Sequence, residues 1–488
     1  MHHASARVWA EDEFGTCRLG DVRRTKRLVA MAEAAARRPS GKVATVFSRD
    51  KDREGAYDFV ENARAPIEAL TESMCTATVH RARAECVADK RGERVALVVV
   101  DITHLAFTDL AADKGFGPVS SPNCPARGIM AVSALAVTKA GTPLGLADQH
   151  FWTREEIVPE TISERNARNY LRPFEDKQGY KFALCAKRAA KRLADAGILP
   201  WIVIDREADN LQILNRLQTD ETRFTIRAKA NRRLIDDKHK KLRESLHAQP
   251  VIAGRIAHIA RNGGRPQRIA KLTVRAKKID LNVTNLRVDD KPQAISIWAV
   301  LVRESGGAAN RKDAIDWLLL TNYPIEDADA ALEVVDSYCA RWRIEEFHRT
   351  WKGGHCNLQD AQLRSVSAVA KWATILAAVS TRIERIKHLA RNTPETPMSV
   401  EFEEVEIEAL RVAYLANRRD NGAKNLVLSA MPTMAEAAAW LATLGGWMGE
   451  KRSGRPGSIT IGRGLEIHAI YTQALQDLRA IGELKAPT

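Results

Sequence analysis

The chain has 488 residues, of which 45% are apolar and 28% are charged. This length exceeds one hydrophobic core, so about two to four domains are expected, and the apolar content excludes a mainly disordered protein. The formal net charge of +14 favours a polyanionic partner such as nucleic acid, although charge alone leaves a solvated basic surface as the alternative.

Cysteine usage and the apolar runs indicate the compartment. The seven cysteines include no CxxC pair, so neither a disulfide framework nor a zinc ribbon is predicted, and a reducing cytoplasm fits. The opening sequence MHHASARVWAEDEF lacks the apolar core of a signal peptide. Because the apolar runs are interrupted short of about 18 residues, we expect no membrane span.

Residues 1–75 are predicted to form a basic N-terminal helical domain. Leu19 to Arg38 has apolar positions at helical spacing, and Asp21 stands where a helix cap is favoured. The sequence PSGK at 39–42 ends this helix, and a second helical segment begins near Asp52. The first half of the first helix carries four cations, Arg23, Arg24, Lys26 and Arg27.

The central part of the chain is predicted to be a mixed α/β core. RVALVVVDIT is a continuous apolar run ending at Asp101, which is typical of a buried central strand. Strands over 128–138 and 141–152 are predicted to form a hairpin, and a helix over 181–197 leads to a strand ending at Asp205. Both carboxylates therefore stand at strand ends, where α/β sheets place ligands.

A basic, antiparallel β-rich insertion is predicted over about 223–315, where apolar residues alternate with polar or basic ones. A helix then carries YCARWRIEEFHRTWK, Tyr338 to Lys352. Another long helix is expected over roughly 361–391. The central domain is thus assigned to 76–391, and a helical C-terminal domain to 392–488.

Four polar residues form a stripe on the helix after the insertion. Tyr338, Arg341, Glu345 and Lys352 fall within roughly 60° of each other around a helix axis. A surface helix uses such a stripe to pair charges, here Arg341 with Glu345. The other interpretation is that the glutamate holds a metal ion while the cations hold phosphates. The choice depends on whether further carboxylates accompany Glu345.

Asp101, Asp205 and Glu345 are the candidate metal ligands. Alone, each has an ordinary structural role, as a turn or cap residue or as half of an ion pair. Together, two strand ends and a packed helix are able to bind two hard divalent cations, and Mg²⁺ prefers carboxylate oxygens. Two such ions about 3.5–4 Å apart promote phosphoryl transfer.

The spacing Y-x2-R-x3-E-x6-K in YCARWRIEEFHRTWK resembles the signature of DDE transposases of the IS-four group, which includes the Tn-five type. VVDIT around Asp101 and VIDREAD around Asp205 are similar to the first and second acidic motifs of that family. RFTIRAKANRR, DWLLLTN, the N-terminal LGDVRRTKRL and EGAYDF, and the C-terminal LATLGGWMGEKRSG also resemble it. The resemblance therefore covers most of the chain, in the family's order.

This resemblance implies an RNase-H-like, retroviral-integrase-like α/β core with a β-rich insertion, flanked by an end-binding domain and a dimerisation domain. It also implies cut-and-paste transposition: a nick at the transposon end, a hairpin, its opening by water, and joining of the 3′-OH to target DNA. The implied cofactor is Mg²⁺, with Mn²⁺ able to substitute, at two ions per site. The implied partners are double-stranded DNA and a second copy of the chain, in a bacterial, nucleoid-associated setting.

The resemblance also implies roles for individual residues. Asp101, Asp205 and Glu345 are the catalytic metal ligands. Contacts to the DNA backbone near the cleavage point are implied for Tyr338, Arg341 and Lys352, and stacking on a flipped base for Trp317. The other implied DNA contacts are Arg227, Lys229, Arg232, Arg23, Arg24 and Arg27.

Two alternative functions remain open from the sequence. The first is a DNA-binding protein without catalysis, such as an immobile remnant or an inhibitor of transposition, and the presence of all three carboxylates argues against it. The second is a general metal-dependent nuclease, against which the basic N-terminal helix argues because it suggests binding to specific ends.

Overall fold

The computed structural model describes residues 6–107, 114–119, 126–156, 161–219, 222–235, 239, 241–259, 267–283, 293–306, 311, 313–420, 427–429 and 431–482. Its centre is a mixed sheet of ten strands. The strands are β1 (Val95–Phe107), β2 (Gly117–Pro118), β3 (Arg127–Val137), β4 (Pro143–Trp152), β5 (Leu199–Ile204), β6 (Arg223–Arg227), β7 (Ala253–Ile259), β8 (Arg268–Val283), β9 (Gln293–Glu304) and β10 (Asp316–Thr321).

The helices precede the sheet, connect its strands and follow it. They are α1 (Ala6–Phe14), α2 (Val22–Arg37), α3 (Val43–Val46), α4 (Asp50–Glu61), α5 (Ile67–Glu85), α6 (Ile162–Leu171), α7 (Gln178–Ala194), α8 (Leu211–Thr219), α9 (Leu242–His247), α10 (Ala328–Cys339), α11 (Trp342–Lys352), α12 (Val366–Asn392), α13 (Glu404–Asp420), α14 (Met434–Leu444), α15 (Glu450–Ser453) and α16 (Ser458–Ala480). The N-terminal region is helical, as predicted, although the assigned domain border at residues 75 and 76 falls inside α5.

The apolar run of β1 is explained by burial on both faces of the sheet. Val95 and Val99 face one hydrophobic core, which also contains residues of α12. Val98 and Val100 face a second core, to which α7 contributes. A strand buried on both sides has no solvent face, so its sequence shows no alternation.

The strand order is β2-β3-β1-β5-β6-β10-β9-β8-β7, with β4 paired to β3. The predicted hairpin of β3 and β4 is present and antiparallel. The predicted insertion does not form a separate sheet, because β9 pairs with β10 and continues the central one. In addition, β6 runs parallel to β5 and belongs to the central strands. Parts of the insertion, 260–266 and 284–292, lie outside the described residues.

Two element boundaries differ from the sequence-based prediction. β1 does not end at Asp101 but continues to Phe107, because its antiparallel partner β3 extends the ladder to Phe107 and Arg127. The stretch from Tyr338 to Lys352 is not one helix. α10 ends at Cys339 and α11 begins at Trp342. The turn between them is closed by hydrogen bonds to the carbonyl three residues earlier, such as Arg341 N to Tyr338 O at 3.1 Å.

α12 is long and apolar enough to cross a membrane by length and composition, which the interrupted runs in the sequence did not suggest. However, 89% of its most apolar window is buried inside the protein. Helices of the N-terminal region (α2, α4 and α5) and of the C-terminal region (α14 and α16) contact it. Its apolar character is therefore explained by its position in the core.

Glu406 joins α13 to the start of α1. Its Oε1 accepts a hydrogen bond from the backbone N–H of Ala6 at 3.0 Å, and the residue is only 4% exposed. Burial raises the pKa of Glu406 from 4.5 to about 7, against the opposing charge of Arg382.

The pH dependence of stability should report this buried carboxyl. Between pH 4.5 and about 7 the folded chain keeps a proton on Glu406 that the unfolded chain has lost. The free energy of unfolding should therefore fall as pH rises through this window, by up to about 2–3 kcal/mol from this group. The free energy of unfolding of Glu406→Gln, measured by denaturant titration, should fall less between pH 5 and pH 7.5 than that of the wild type. An equal fall in the two proteins would contradict the prediction.

Candidate active site

The register of two parallel strands places Asp101 beside Asp205. β1 and β5 pair from Val95 and Leu199 to Val100 and Ile204, so the next residue of each chain segment is the aspartate. Asp205 accepts a hydrogen bond from Arg206 N and caps a short 3-10 helix. Asp101 accepts one from Ile102 N at 2.9 Å. Both carboxylates thus lie at the carboxyl-terminal edge of the parallel strands, as expected.

Arg341 connects the third carboxylate to this edge. One terminal nitrogen of its guanidinium lies 2.8 Å from Glu345 Oε1 and the other lies 3.6 Å from Asp205 Oδ2. The Arg341 side chain is 7% exposed, whereas the Asp205 and Glu345 side chains are 27% and 31% exposed. The ion pair between Arg341 and Glu345 that the helical spacing allowed is therefore present, and it lies within the carboxylate site.

Burial makes ionisation of two of the carboxyl groups, Asp101 and Glu345, unfavourable. Burial raises the pKa of Asp101 to about 7, and the charges of Glu345 and Glu207 add to the rise while Arg341 opposes it. Burial also raises the pKa of Glu345, again against Arg341. Glu345 Oε2 is buried without a hydrogen-bond partner. An additional cation at this edge would relieve all of these penalties.

The donor set fits a hard divalent cation, because it consists of carboxylate oxygens from Asp101, Asp205 and Glu345. In the described part of the chain, the one group of three ligand atoms within 4.8 Å of each other is a different one, Glu346, Glu384 and His388. The three candidate carboxylates are therefore not gathered within that distance, and the guanidinium of Arg341 lies between Asp205 and Glu345.

α11 brings two further side chains against the second half of β1. Lys352 Nζ donates to Thr103 Oγ1 at 3.1 Å, two residues beyond Asp101. Burial lowers the pKa of Lys352, against the charge of Asp101. His348 Nδ1 lies 3.7 Å from Asp101 Oδ2, and its side chain is 9% exposed. Lys352 is thus held close to the carboxylates, whereas His348 was not among the predicted site residues.

Trp317 and Tyr338 form an aromatic pair beside Arg341. Trp317 on β10 and Tyr338 on α10 meet edge to face, with ring centroids 5.2 Å apart. The Arg341 guanidinium lies 5.8 Å from the Tyr338 ring centroid. The Tyr338 hydroxyl is buried near Arg227, and burial raises its pKa, against the charges of Arg341 and Arg227. Tyr338 and Glu345 therefore lie on two different helices, α10 and α11, and not on one face of a single helix as the spacing predicted.

Trp342 was missed by the sequence analysis. It is 53% exposed, and the Arg341 guanidinium lies 5.2 Å from its ring centroid. A tryptophan between two arginines was the available signal, but its exposure depends on the helix break at Ala340 and Arg341, which the pattern did not predict.

The predicted basic residues near β6 differ in their surroundings. Arg232 is 14% exposed and pairs with Asp209 at 2.6 Å. Arg227 is half-buried, and its Nη2 lies 3.5 Å from the backbone oxygen of Asp316. Lys229 is exposed. Lys229 thus presents its charge to solvent, whereas Arg232 supports the fold of its own segment.

The predicted arginines of α2 are likewise not equivalent. Arg23 is exposed. Arg24 Nη1 donates to Leu19 O at 2.7 Å. Arg27 lies 3.8 Å from Asp52 and against Gly55, where an added Cβ would come 2.8 Å from its Cζ atom. Arg24 therefore ties α2 to the segment before it, and Arg27 lies between α2 and α4.

Three protein-family models match the chain. A Transposase DNA-binding model matches residues 6–65, a Transposase DDE domain model matches 185–382, and a Transposase Tn5 dimerisation domain model matches 378–484. Asp205 and Glu345 lie inside the DDE match, and Asp101 lies before it.

These matches support a DNA transposase, an enzyme with a DDE domain, a DNA-binding domain and a dimerisation domain. With the Tn5 dimerisation domain at its end, the chain has the domain content of a Tn5-type DDE transposase. A DDE domain implies an RNase-H-like core and the use of divalent metal. The mixed sheet with flanking helices is consistent with such a core.

Proposed function

We propose that the protein is a cut-and-paste transposase that binds the inverted-repeat ends of its element, cleaves them and joins them to target DNA. One observation carries the proposal. The pairing of Val100 with Ile204 sets Asp101 beside Asp205, and Arg341 links Glu345 to that pair. In this proposal 1–75 binds the ends and 392–488 dimerises, in the cytoplasm and close to the nucleoid.

Asp101, Asp205 and Glu345 are the residues that would hold Mg²⁺, or Mn²⁺ in its place, at two ions per site. Bound there, the ions supply positive charge to the attacking and leaving oxygens of phosphoryl transfer. In this structure the guanidinium of Arg341 provides positive charge beside Asp205 and Glu345. With the carboxylates neutralised by a bound cation, the Arg341 guanidinium would be free to grip a phosphate in bidentate fashion.

The proposed reaction consists of successive phosphodiester exchanges. Water attacks the phosphodiester at the transposon end and releases a 3′-OH. This hydroxyl attacks the opposite strand, which closes a hairpin and releases the flanking DNA. A second water opens the hairpin, and the 3′-OH then attacks target DNA. Tyr338 and Lys352 hold the backbone during these steps.

Trp317 is proposed to stack on a base extruded near the hairpin. Extrusion costs a few kcal/mol, and stacking on an aromatic ring offsets about 1–3 kcal/mol of that cost. The edge-to-face contact with Tyr338 fixes the ring of Trp317 beside the residues proposed to hold the backbone. The remaining DNA contacts are proposed for Arg23 and Lys229, whose charges face solvent. They are also proposed for Arg24, Arg27, Arg227 and Arg232, which would exchange their present protein partners for phosphate.

Cleavage of end-containing DNA tests the proposal. Purified protein should be incubated with the repeats that flank its gene, with Mg²⁺ or Mn²⁺, and the products separated on denaturing gels. Nicked, hairpin and resolved ends are expected, and end binding should fall steeply with salt. Equal cleavage of unrelated DNA would indicate a general nuclease, and binding without cleavage would indicate an inactive remnant.

Replacing Lys352 should slow the hairpin step. Lys352→Met keeps the apolar stem but removes the charge, and one charge-assisted hydrogen bond to phosphate is worth about 1.5–3 kcal/mol, or roughly 10–100-fold in rate. Nicked DNA should accumulate relative to hairpin. Lys191→Met is the matched control, since Lys191 is exposed on α7 and pairs with Asp195. An unaltered product profile for Lys352→Met would refute its assigned role.

A further inference from the structure

A second set of polar contacts lies one residue along α11 from Glu345. Glu346 Oε1 accepts from Lys387 Nζ at 3.1 Å. Glu346 Oε2 accepts from His388 Nε2 at 2.8 Å and from Arg343 at 3.0 Å. Two of these three donors lie on α12, so Glu346 is held between α11 and α12.

Lys387 extends these contacts to the C-terminal region. Its side chain is 4% exposed and also pairs with Glu384. Ser458, the first residue of α16, lies 3.3 Å from Lys387 Nζ and donates to Glu384 Oε1 at 2.5 Å. Thr350 of α11 donates to the same carboxylate oxygen. α11, α12 and α16 are therefore joined by one buried network of charged and polar groups.

The network is not a metal site, although Glu346, Glu384 and His388 offer ligand atoms within 4.8 Å of one another. The ammonium of Lys387 already contacts both carboxylates. Each of the four carboxylate oxygens has at least one donor. A divalent ion would have to displace Lys387 and would gain little, because the negative charge is already neutralised.

We propose that Glu346 is a positioning residue, which Lys387 and the start of α16 hold in place, and which thereby sets where Glu345 lies in the carboxylate site. The inference rests on the proposed function. α11 follows α10 after a two-residue turn, so its placement depends on contacts along its length. Because Glu345 and Glu346 are adjacent on one helix, a shift of Glu346 toward or away from α12 moves Glu345 with it. Outer contacts of this kind orient metal ligands and tune their affinity.

The proposal gives the C-terminal region a direct connection to catalysis. Ser458 lies inside the stretch matched by the dimerisation model, 378–484. The hydrogen bond from Ser458 to Glu384 and the ion pairs of Lys387 lead from that stretch to Glu346. Seating of α16 therefore affects the helix that carries the third metal ligand.

The test measures metal binding separately from activity. Mn²⁺ binding to the complex of protein and end DNA is followed by the electron paramagnetic resonance signal of free Mn²⁺, for the wild type, Glu346→Gln and Glu346→Ala. The Mn²⁺ concentration at half-saturation, called the Mn²⁺ midpoint below, should rise about 10-fold for Glu346→Ala and less for Glu346→Gln. End binding without metal should stay within about twofold, and saturating Mn²⁺ should restore most of the cleavage rate.

Two further variants complete the design. Glu404→Gln makes the same chemical change at an exposed carboxylate of α13 and should leave the Mn²⁺ midpoint unchanged. Ser458→Ala removes only the contact from α16 and should raise the midpoint by less than Glu346→Ala does. If Glu346→Ala fails to fold, Glu346→Gln and Ser458→Ala decide the matter.

The outcomes separate this inference from the proposed function. The positioning role would be overturned if Glu346→Gln and Ser458→Ala had the same Mn²⁺ midpoint as the wild type, provided that the wild-type protein cleaves end DNA. A lower melting temperature and weaker metal-free end binding at an unchanged midpoint would show a purely structural role and would also overturn it. A wild-type protein that neither binds Mn²⁺ nor cleaves end DNA would overturn the proposed function, and this inference with it.

Discussion

Asp205→Ala is expected to abolish cleavage of transposon-end DNA while leaving end binding largely intact. Asp205 ends β5 directly beside Asp101, and its carboxylate faces the guanidinium of Arg341. Metal ions contribute several kcal/mol to phosphoryl transfer, and about 1.4 kcal/mol corresponds to a tenfold change in rate. Loss of a ligand should therefore lower the rate at least about 1000-fold. Asp101→Ala and Glu345→Ala should behave alike.

The matched control for Asp205→Ala lies between α7 and the start of β5. Asp195 follows α7, precedes β5 and pairs with Lys191, with 61% of its side chain exposed. Asp195→Ala should cleave like the wild type. Gel-shift titration without metal gives end binding, and single-turnover gels give the cleavage rate. Retained metal-dependent cleavage in any of the three active-site variants would remove that residue from the site.

Arg341→Ala should have the second largest effect, lowering the cleavage rate about 100-fold or more. The Arg341 side chain is 7% exposed and its guanidinium lies between Asp205 and Glu345, so its removal leaves both carboxylates without this ion-pair partner. It also removes the group proposed to grip phosphate. A bidentate grip comprises two charge-assisted hydrogen bonds of about 1.5–3 kcal/mol each, and their loss corresponds to at least about 100-fold in rate.

Comparison with Arg341→Lys tests why a guanidinium is needed. Lysine keeps the charge but offers a compact ammonium instead of a planar fork, so it cannot grip phosphate in bidentate fashion. Arg341→Lys should therefore remain well below the wild type and only modestly above Arg341→Ala. Full activity in Arg341→Lys would show that charge alone is sufficient. Melting temperatures of the variants check that the fold is retained.

Local sequence patterns were sufficient for the elements that carry the site. The apolar run before Asp205 predicted β5, and the glycine break at 141 predicted the hairpin of β3 and β4. The helical spacing around Glu345 predicted α11. These features depend on residues close in sequence, where periodicity and turn residues report the local structure directly.

Features that depend on distant partners were not predictable in this way. β1 continues past Asp101 because β3 pairs with it, and β6 joins the core because β5 lies beside it. Arg232 has a structural partner in Asp209, on a preceding segment. The contact between Glu346 and Lys387 joins residues 41 positions apart. In a single sequence, none of these pairings leaves a local signal.

The continuous sheet also fixes the distance between its central strand β1 and its edge strand β7. Six strand spacings separate β1, which carries Asp101, from the edge strand β7. At about 4.8 Å per spacing the distance is about 30 Å. With a rise of about 3.4 Å per base pair, this corresponds to roughly nine base pairs of B-form DNA. The backbone hydrogen bonds of one sheet therefore set the distance between Asp101 and the side chains of the outer strands.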